Sequence, residues 1–340
     1  MSFMKRRWLL WLLVIAFVWI VVSRLTEIRK LVETLAQGQG TWVLAAALLQ
    51  VIYYLAYTAL YQSAFYSVGV KSRIDELLPV VFAAVFVNVA APTGGASGAA
   101  LFVDNAARRG QSATRTAAGM VLMLAANLSA FTLVLAIGMV YLFWYQDLAV
   151  YQIIGAAILL LMLGGLTGVL VLGLWQPDYL RQFLTWLQRI VNWLAGRLKR
   201  PALLTEDWAE KNATEFSEAA TAIVAHPHRL GRTLAVALAA HLVNLTSLYT
   251  LFLAFHQPVE FGVLVAGYAM GILFWIVSPA PQGIGVVEGV MALVYTSLKV
   301  PAEKATVVAL AFRGLTFWLP FAIGFFLLRR VRSFGTVEVK

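Results

Sequence analysis

Long apolar stretches recur along this chain, and they constrain its fold more than any other feature of the sequence. A helix needs about 20 mostly apolar residues to cross the hydrocarbon core of a bilayer. Only 12% of the 340 residues are charged, which is too few to cover the surface of a soluble domain. The sequence therefore predicts an all-α polytopic membrane protein and excludes a soluble enzyme. The uninterrupted candidate spans are Trp8–Ser23, Trp42–Tyr66, Ala117–Trp144, Tyr151–Trp175, Thr233–Phe255 and Ala305–Leu328.

Two further apolar stretches are interrupted by proline and glycine. Leu77–Val103 contains Pro-Thr-Gly-Gly at residues 92–95, and Phe261–Leu298 contains Pro-Gln-Gly-Ile-Gly at residues 281–285. Proline and glycine end one helix and permit a new one to start. Each stretch therefore predicts two short helices joined by a break.

The basic residues indicate how these segments cross the membrane, because Lys and Arg collect in cytoplasmic loops. If the first broken stretch crossed completely, Arg108 would lie on the opposite side from Lys71. If it is a re-entrant hairpin over residues 77–105 that enters from the cytoplasm, every basic cluster stays inside, and the second hairpin, 261–298, enters from outside. We therefore predict six full spans and two re-entrant hairpins in the cell membrane, with cytoplasmic N- and C-termini.

The two halves of the chain repeat the same order of features within one membrane domain, residues 1–340. Residues 41–175 contain the first hairpin and residues 231–328 the second, and each hairpin is followed by a loop and a long span. Because the hairpins open to opposite sides, the repeats would be related by inverted symmetry. Inverted repeats with broken helices near the midplane are typical of transporters.

The segment between the repeats, residues 178–230, is predicted to be a cytoplasmic amphipathic connector. Apolar residues recur at helical spacing from Leu180 to Leu194, which predicts a helix on the inner membrane surface. A second, more acidic helix is expected over residues 205–224. The sequence leaves open whether the segment only connects the repeats or also regulates them. The basic residues expected at anionic head groups are Arg197, Lys199 and Arg200.

Charged residues inside apolar segments are the first candidates for a functional site, because each costs about 2.5–3.5 kcal/mol to insert. Helices that restart after the breaks would place their N-termini deep in the protein, where free N–H groups and the helix dipole favour anions. Together with nearby arginines, these N-termini would suit the phosphate of a lipid head group. The predicted substrate-binding residues are Arg313, Glu288, Arg115, Gly94, Gly95, Gly283 and Gly285.

Glu288 has two interpretations that the sequence leaves open. It could orient Arg313 toward a substrate, or titrate if transport is coupled to protons. Alternatively, Glu288 and Arg313 form a structural pair that holds two helices together. A carboxylate in the first turn of a helix is also favoured by the dipole alone.

Other function classes have weaker support. Gly-Ala-Ser-Gly at residues 95–98 matches the GxSG motif of intramembrane serine proteases, and a Ser97/His241 pair would be a hydrolase dyad. A non-transporting membrane scaffold for a lipid-modifying enzyme is a further alternative.

The net charge of +10 is what basic cytoplasmic loops produce, so we expect no nucleic-acid partner. With no cysteine and no HExxH spacing, we expect neither a metal nor a cofactor. A homo-oligomer is compatible with the sequence.

Three segments of the second half carry a family resemblance: residues 281–288, 300–305 and 312–320. There the chain reads Pro-Gln-Gly-Ile-Gly-Val-Val-Glu, Val-Pro-Ala-Glu-Lys-Ala and Phe-Arg-Gly-Leu-Thr-Phe-Trp-Leu-Pro. The chain resembles the flippase-like membrane region of lysylphosphatidylglycerol synthases (multiple peptide resistance factor) and their stand-alone relatives. Gln282 departs from the pattern, because glycine is usual at that position. The matching positions are Pro279, Pro281, Gly283, Gly285, Glu288, Pro301 and Arg313.

The resemblance implies that lipids are moved between leaflets and that the partners are membrane lipids, with an anionic head group favoured. The chain ends 12 residues after Leu328, so we expect no soluble aminoacyl-transferase domain. Since the sequence also has no ATPase motif, we expect a transporter and not an enzyme.

Overall fold

The computed structural model describes residues 25–91, 93, 95–145, 148–197, 201–202, 204–278, 280–328 and 331. The predicted first span, Trp8–Ser23, lies outside these residues, as do Gly94, Lys199 and Arg200. The described chain is helical almost throughout and contains no strand, so the predicted all-α class is confirmed there. Its helices are α1 (Leu25–Gln37), α2 (Gly40–Ser67), α3 (Ile74–Ala90), α4 (Ala96–Ala107), α5 (Ala113–Tyr145), α6 (Val150–Trp175), α7 (Pro177–Arg197), α8 (Trp208–Ala225), α9 (Pro227–Ala254), α10 (Phe261–Val277), α11 (Val286–Ser297) and α12 (Ala302–Leu327).

Five of these helices, α2, α5, α6, α9 and α12, are long and apolar enough to cross a membrane. They correspond to five of the six predicted spans. Apolar side chains also cover much of the outer surface: on α6, Leu161 is 75% exposed and Trp175 is 74% exposed. Such a surface suits lipid and not water, so the chain is a multi-pass membrane protein.

Each of the two broken stretches folds back on itself as an antiparallel pair of helices. In the first pair, Glu76 at the start of α3 forms an ion pair with Arg109, just beyond the end of α4. In the second pair, Gly267 of α10 lies against Tyr295 of α11, and Gly271 lies against Met291. At 1.5 Å per residue, helices of 17 and 12 residues are about 26 and 18 Å long, so neither member alone spans a core of about 30 Å.

The two halves of the chain interlock through their long helices. Helices α2 and α9 run antiparallel, with the hydroxyls of Ser63 and Thr233 2.8 Å apart at one end and the amide of Gln50 donating to Asn244 (2.8 Å) further along. Helix α5 of the first half packs on α10, and α12 of the second half packs on α3. Each hairpin therefore packs against a spanning helix of the other half.

Helix α8 of the connector is attached to the start of α5 by side-chain contacts. Ser112 donates a hydrogen bond to Glu215, and Thr114 donates one to Asn212. One turn further along α8, Glu218 pairs with Arg115 at 2.7 Å. Helix α8 also packs on α6, because Gly173 leaves room for the ring of Phe216. The two connector helices therefore form an ordered layer at the end of the bundle where the first hairpin begins.

Gly324 determines how closely α12 approaches α3, and we expect Gly324→Ala to destabilise the protein. A Cβ at position 324 would lie 2.1 Å from the backbone carbonyl oxygen of Phe82, so the two helices must move apart. Overpacking of this kind costs about 1–3 kcal/mol. The measurement is thermal unfolding in detergent, followed by tryptophan fluorescence. Gly164→Ala on α6 is the control, because a Cβ there meets no atom within 4 Å, and an equal loss of stability in both variants would contradict the prediction.

Candidate functional site

The last spanning helix changes its geometry directly after Arg313. Residues Gly314–Trp318 form a π-helical turn within α12, a feature that is frequent at functional sites. Pro320 has no N–H, so it cannot donate the α-helical hydrogen bond to the carbonyl of Thr316. The hydroxyl of Tyr54 on α2 donates to that carbonyl instead, at 3.1 Å. Helix α2 therefore supports the irregular turn next to Arg313.

Arg313 is the central residue of the candidate site, and it is only 6% exposed. Its Nε donates to the carboxylate of Glu288 at 3.0 Å, and its Nη2 donates to the backbone carbonyl of Gln282 at 2.9 Å. Its guanidinium lies over the ring of Phe317, 4.7 Å from the ring centre. In the part of the chain that the structure describes, these bonds leave the Nη1 donors of Arg313 for another acceptor.

The second helix break presents these partners to Arg313. Gln282 has a φ of 54°, a left-handed conformation that favours glycine. Its side-chain oxygen accepts from Trp275 Nε1 at 3.1 Å, so the strained residue is held on two sides. Glu288 Oε2 accepts the N–H of Gly285 at 2.8 Å. The carboxylate of Glu288 thus connects the start of α11 to Arg313.

The two breaks differ in the N–H groups that they leave free. At the first break, the side-chain oxygen of Asn88 accepts from the N–H of Gly98 at 2.8 Å, and Thr93 Oγ1 accepts from the N–H of Ser97 at 2.8 Å. At the second break, no side-chain acceptor from the described residues bonds the N–H groups of Val286 or Val287. An anion would therefore find free donors at the start of α11, whereas those at the start of α4 are already paired.

The two breaks lie near each other in the fold. Helix α3, which leads into the first break, contacts the turn Pro281–Gly283 of the second. Gly95, with a φ of 92°, is the N-cap of α4, and Gly285, with a φ of 81°, is the N-cap of α11. Both helices therefore restart where the sequence predicts.

The predicted site residues do not all come together. Arg313, Glu288, Gly283 and Gly285 form one cluster, whereas Gly94 lies outside the described residues. Arg115 is at the base of the first hairpin, where its side chain is 38% exposed and pairs with Glu218. Helix α4, with 12 residues, separates this base from Gly95 by about 18 Å at 1.5 Å per residue. The expectation that Arg115 lies beside the breaks is therefore not supported by the structure.

The residues of the alternative hydrolase dyad have other partners. Ser97 Oγ donates to the carbonyl of Ala91 at 2.9 Å and lies 3.0 Å from Asn88 Oδ1. His241 Nδ1 is hydrogen-bonded to the hydroxyl of Tyr268 at 2.9 Å. The structure does not bring Ser97 and His241 together. Among the described residues, no group of three or more His, Cys, Asp or Glu side chains could hold a metal.

Sequence reasoning missed the role of Tyr54 and of the backbone carbonyl of Gln282. Pro320 inside an apolar span was a usable signal, because a proline in a helix leaves a carbonyl that needs another donor. The partner of that carbonyl could not be inferred, since Tyr54 and Thr316 are 262 residues apart.

Comparison with known proteins agrees with the architecture of spans and breaks. A family model described as the lysylphosphatidylglycerol synthase TM region matches residues 8–324, which include both breaks and Arg313. No curated protein and no solved structure gives a significant match to the chain.

Proposed function

The chain belongs to the family of the lysylphosphatidylglycerol synthase transmembrane region, and on this basis we propose that it moves a lipid, or a lipid-linked anionic head group, between the leaflets of a cell membrane. The family name associates the chain with lipid head groups. We further propose that it acts as a transporter and not as an enzyme.

The observation that carries the proposal is the buried position of Arg313 beside a broken helix. Its Nη1 donors and the free N–H groups at the start of α11 supply an anion with charge-assisted and backbone hydrogen bonds together. Arginine suits a phosphate because its planar fork of donors matches the phosphate oxygens. In a bilayer, the phosphate of a lipid head group is the anionic acceptor that is available to these donors.

The ion pair with Glu288 gives a mechanism for taking up and releasing the anion. Without substrate, Arg313 and Glu288 neutralise each other, which lowers the cost of burying either charge. A head-group phosphate would compete with Glu288 for the guanidinium. Glu288 would still accept the Gly285 N–H, at 2.8 Å in this structure, and so keeps one partner while it gives up another. Because Arg313 exchanges one acceptor for another, the phosphate can bind without being held too tightly to be released.

Inverted repeats with two re-entrant hairpins would provide the alternating exposure of this site. The antiparallel pairing of α2 with α9 supports this arrangement. The packing of each hairpin on a spanning helix of the other half, with α10 on α5 and α3 on α12, also supports it. Both hairpins would enter from opposite sides with cytoplasmic N- and C-termini, and a rocking of one repeat against the other would expose Arg313 to each leaflet in turn.

The proposal is tested by reconstituting the full chain in liposomes that contain fluorescent lipids. We expect the wild-type protein to accelerate the exchange of lipids between leaflets, and to act more strongly on anionic than on zwitterionic head groups. Dithionite quenching of the outer leaflet measures the exchange, with protein-free liposomes as the control. If folded protein moves none of several anionic lipids, the proposal loses its main support and the scaffold alternative gains.

A further inference from the structure

The outward face of α7 is aromatic and has no protein partner in the part of the chain that the structure describes. Tyr179, Phe183, Trp186 and Trp193 are each 56–61% exposed. Their spacing of four, three and seven residues keeps them on one side of a helix with 3.6 residues per turn. Four large aromatic rings in a row on a solvent-facing helix would be an aggregation hazard, so this face calls for a specific environment.

The opposite face of α7 is already occupied by α8 and the loop before it. Arg181 pairs with Glu210 at 3.3 Å, and Gln188 donates to the carbonyl of Thr205 at 2.5 Å. Asn192 makes two hydrogen bonds to the backbone of Leu204, of 2.9 and 3.0 Å. These contacts fix the rotation of α7 about its axis. The packing of α7 on α8 and on the loop before it therefore holds the aromatic face outward.

The position of α7 directly after a membrane span indicates which environment its aromatic face contacts. Helix α6 is a membrane span that ends at Trp175, and α7 begins at Pro177. A helix that begins two residues after a span ends starts at the boundary between lipid and water. Tryptophan and tyrosine are enriched at that depth, because one end of each ring system is apolar and the other is polar.

The charges on α7 complement an anionic surface. The helix carries one acid, Asp178, and three arginines. Arg181 forms an ion pair with Glu210, but Arg189 and Arg197 have no carboxylate partner among the described residues. The guanidinium of Arg197 stacks over the ring of Trp193 at 4.9 Å. An arginine held on an exposed tryptophan places a cation beside the aromatic row, where lipid phosphates would lie.

We propose that α7 is an in-plane membrane anchor, with its aromatic face in the boundary between head groups and acyl chains and with Arg189 and Arg197 bound to anionic lipids. The aromatic rings supply the apolar area and the arginines the charge attraction that such helices use. This lipid contact is stationary and separate from the site at Arg313. It would also hold the layer formed by α7 and α8 against the membrane surface.

The test uses site-directed spin labels in the full chain reconstituted with phosphatidylglycerol, which is convenient because the sequence has no cysteine. We expect labels at Phe183→Cys and Trp186→Cys to be accessible to oxygen, shielded from an aqueous nickel reagent and about 5–10 Å below the phosphates. Lys211→Cys, an exposed position on α8, is the matched control and should be accessible to nickel. Labels at 183 and 186 that are as accessible to nickel as the label at 211 would overturn the anchor.

Two further outcomes decide between occupants of this face. Dipolar broadening between labels on two copies of the chain would show that a second copy covers it, and would overturn the lipid assignment. The double variant Arg189→Gln/Arg197→Gln should retain fewer anionic lipids in native mass spectrometry than the wild type. An unchanged number of bound lipids would overturn the assigned role of the arginines.

Discussion

Replacing Arg313 by methionine is expected to slow lipid transport strongly. Arg313 is the one buried arginine in the part of the chain that the structure describes, and methionine keeps much of its length without its donors. Truncating a buried, hydrogen-bonded charge costs about 2–5 kcal/mol, which corresponds to a fall in rate of about 30-fold to several thousand-fold if it is lost from the transition state. The measurement is the rate of lipid exchange in liposomes.

The control for this result is Arg115→Gln. Arg115 and Glu218 form an exposed ion pair at the base of the first hairpin, and exposed pairs contribute about 0–1 kcal/mol. We expect transport by Arg115→Gln to stay close to that of the wild type. Equal losses in the two variants would show that the substrate also contacts the first hairpin, contrary to the placement of the site at the second break.

The second large effect concerns stability, because Arg313 and Glu288 depend on each other. Their side chains are 7% and 15% exposed, and removing one member of a buried pair costs about 3–5 kcal/mol, since the other charge is left without a partner. We expect Glu288→Ala and Arg313→Met each to lower the thermal midpoint in detergent. The double variant should be more stable than either single variant, because it leaves no unpaired charge.

A double-mutant cycle on the two positions separates stability from transport. The coupling energy comes from the thermal unfolding of the wild type, both single variants and the double variant. We expect the double variant to be well folded and inactive in transport. If the single losses of stability simply add, the two side chains do not form a mutually dependent pair, and if the double variant transports lipid, Arg313 is not the anion-binding residue.

Much of the fold follows from features that are local in the sequence. The apolar runs predict α2, α5, α6, α9 and α12, because a helix that satisfies its own backbone is the structure that an apolar segment adopts in lipid. Proline and glycine at the two breaks predict where α4 and α11 restart, since both residue types act on the backbone at their own position. The charges inside these segments identified Arg313 and Glu288 for the same local reason.

The tertiary structure decided which of these residues act together. Glu288 and Arg313 are 25 residues apart, and only the packing of α11 on α12 places the carboxylate on the guanidinium. Packing also placed Arg115 on Glu218 of the connector, away from the breaks, whereas the N–H groups at the start of α4 are paired with nearby side chains, that of Gly98 with Asn88 and that of Ser97 with Thr93. Local hydropathy and backbone preferences thus determined the helices and their breaks, whereas the partners of Arg313 and Arg115 depend on contacts between segments distant in sequence, which no local pattern specifies.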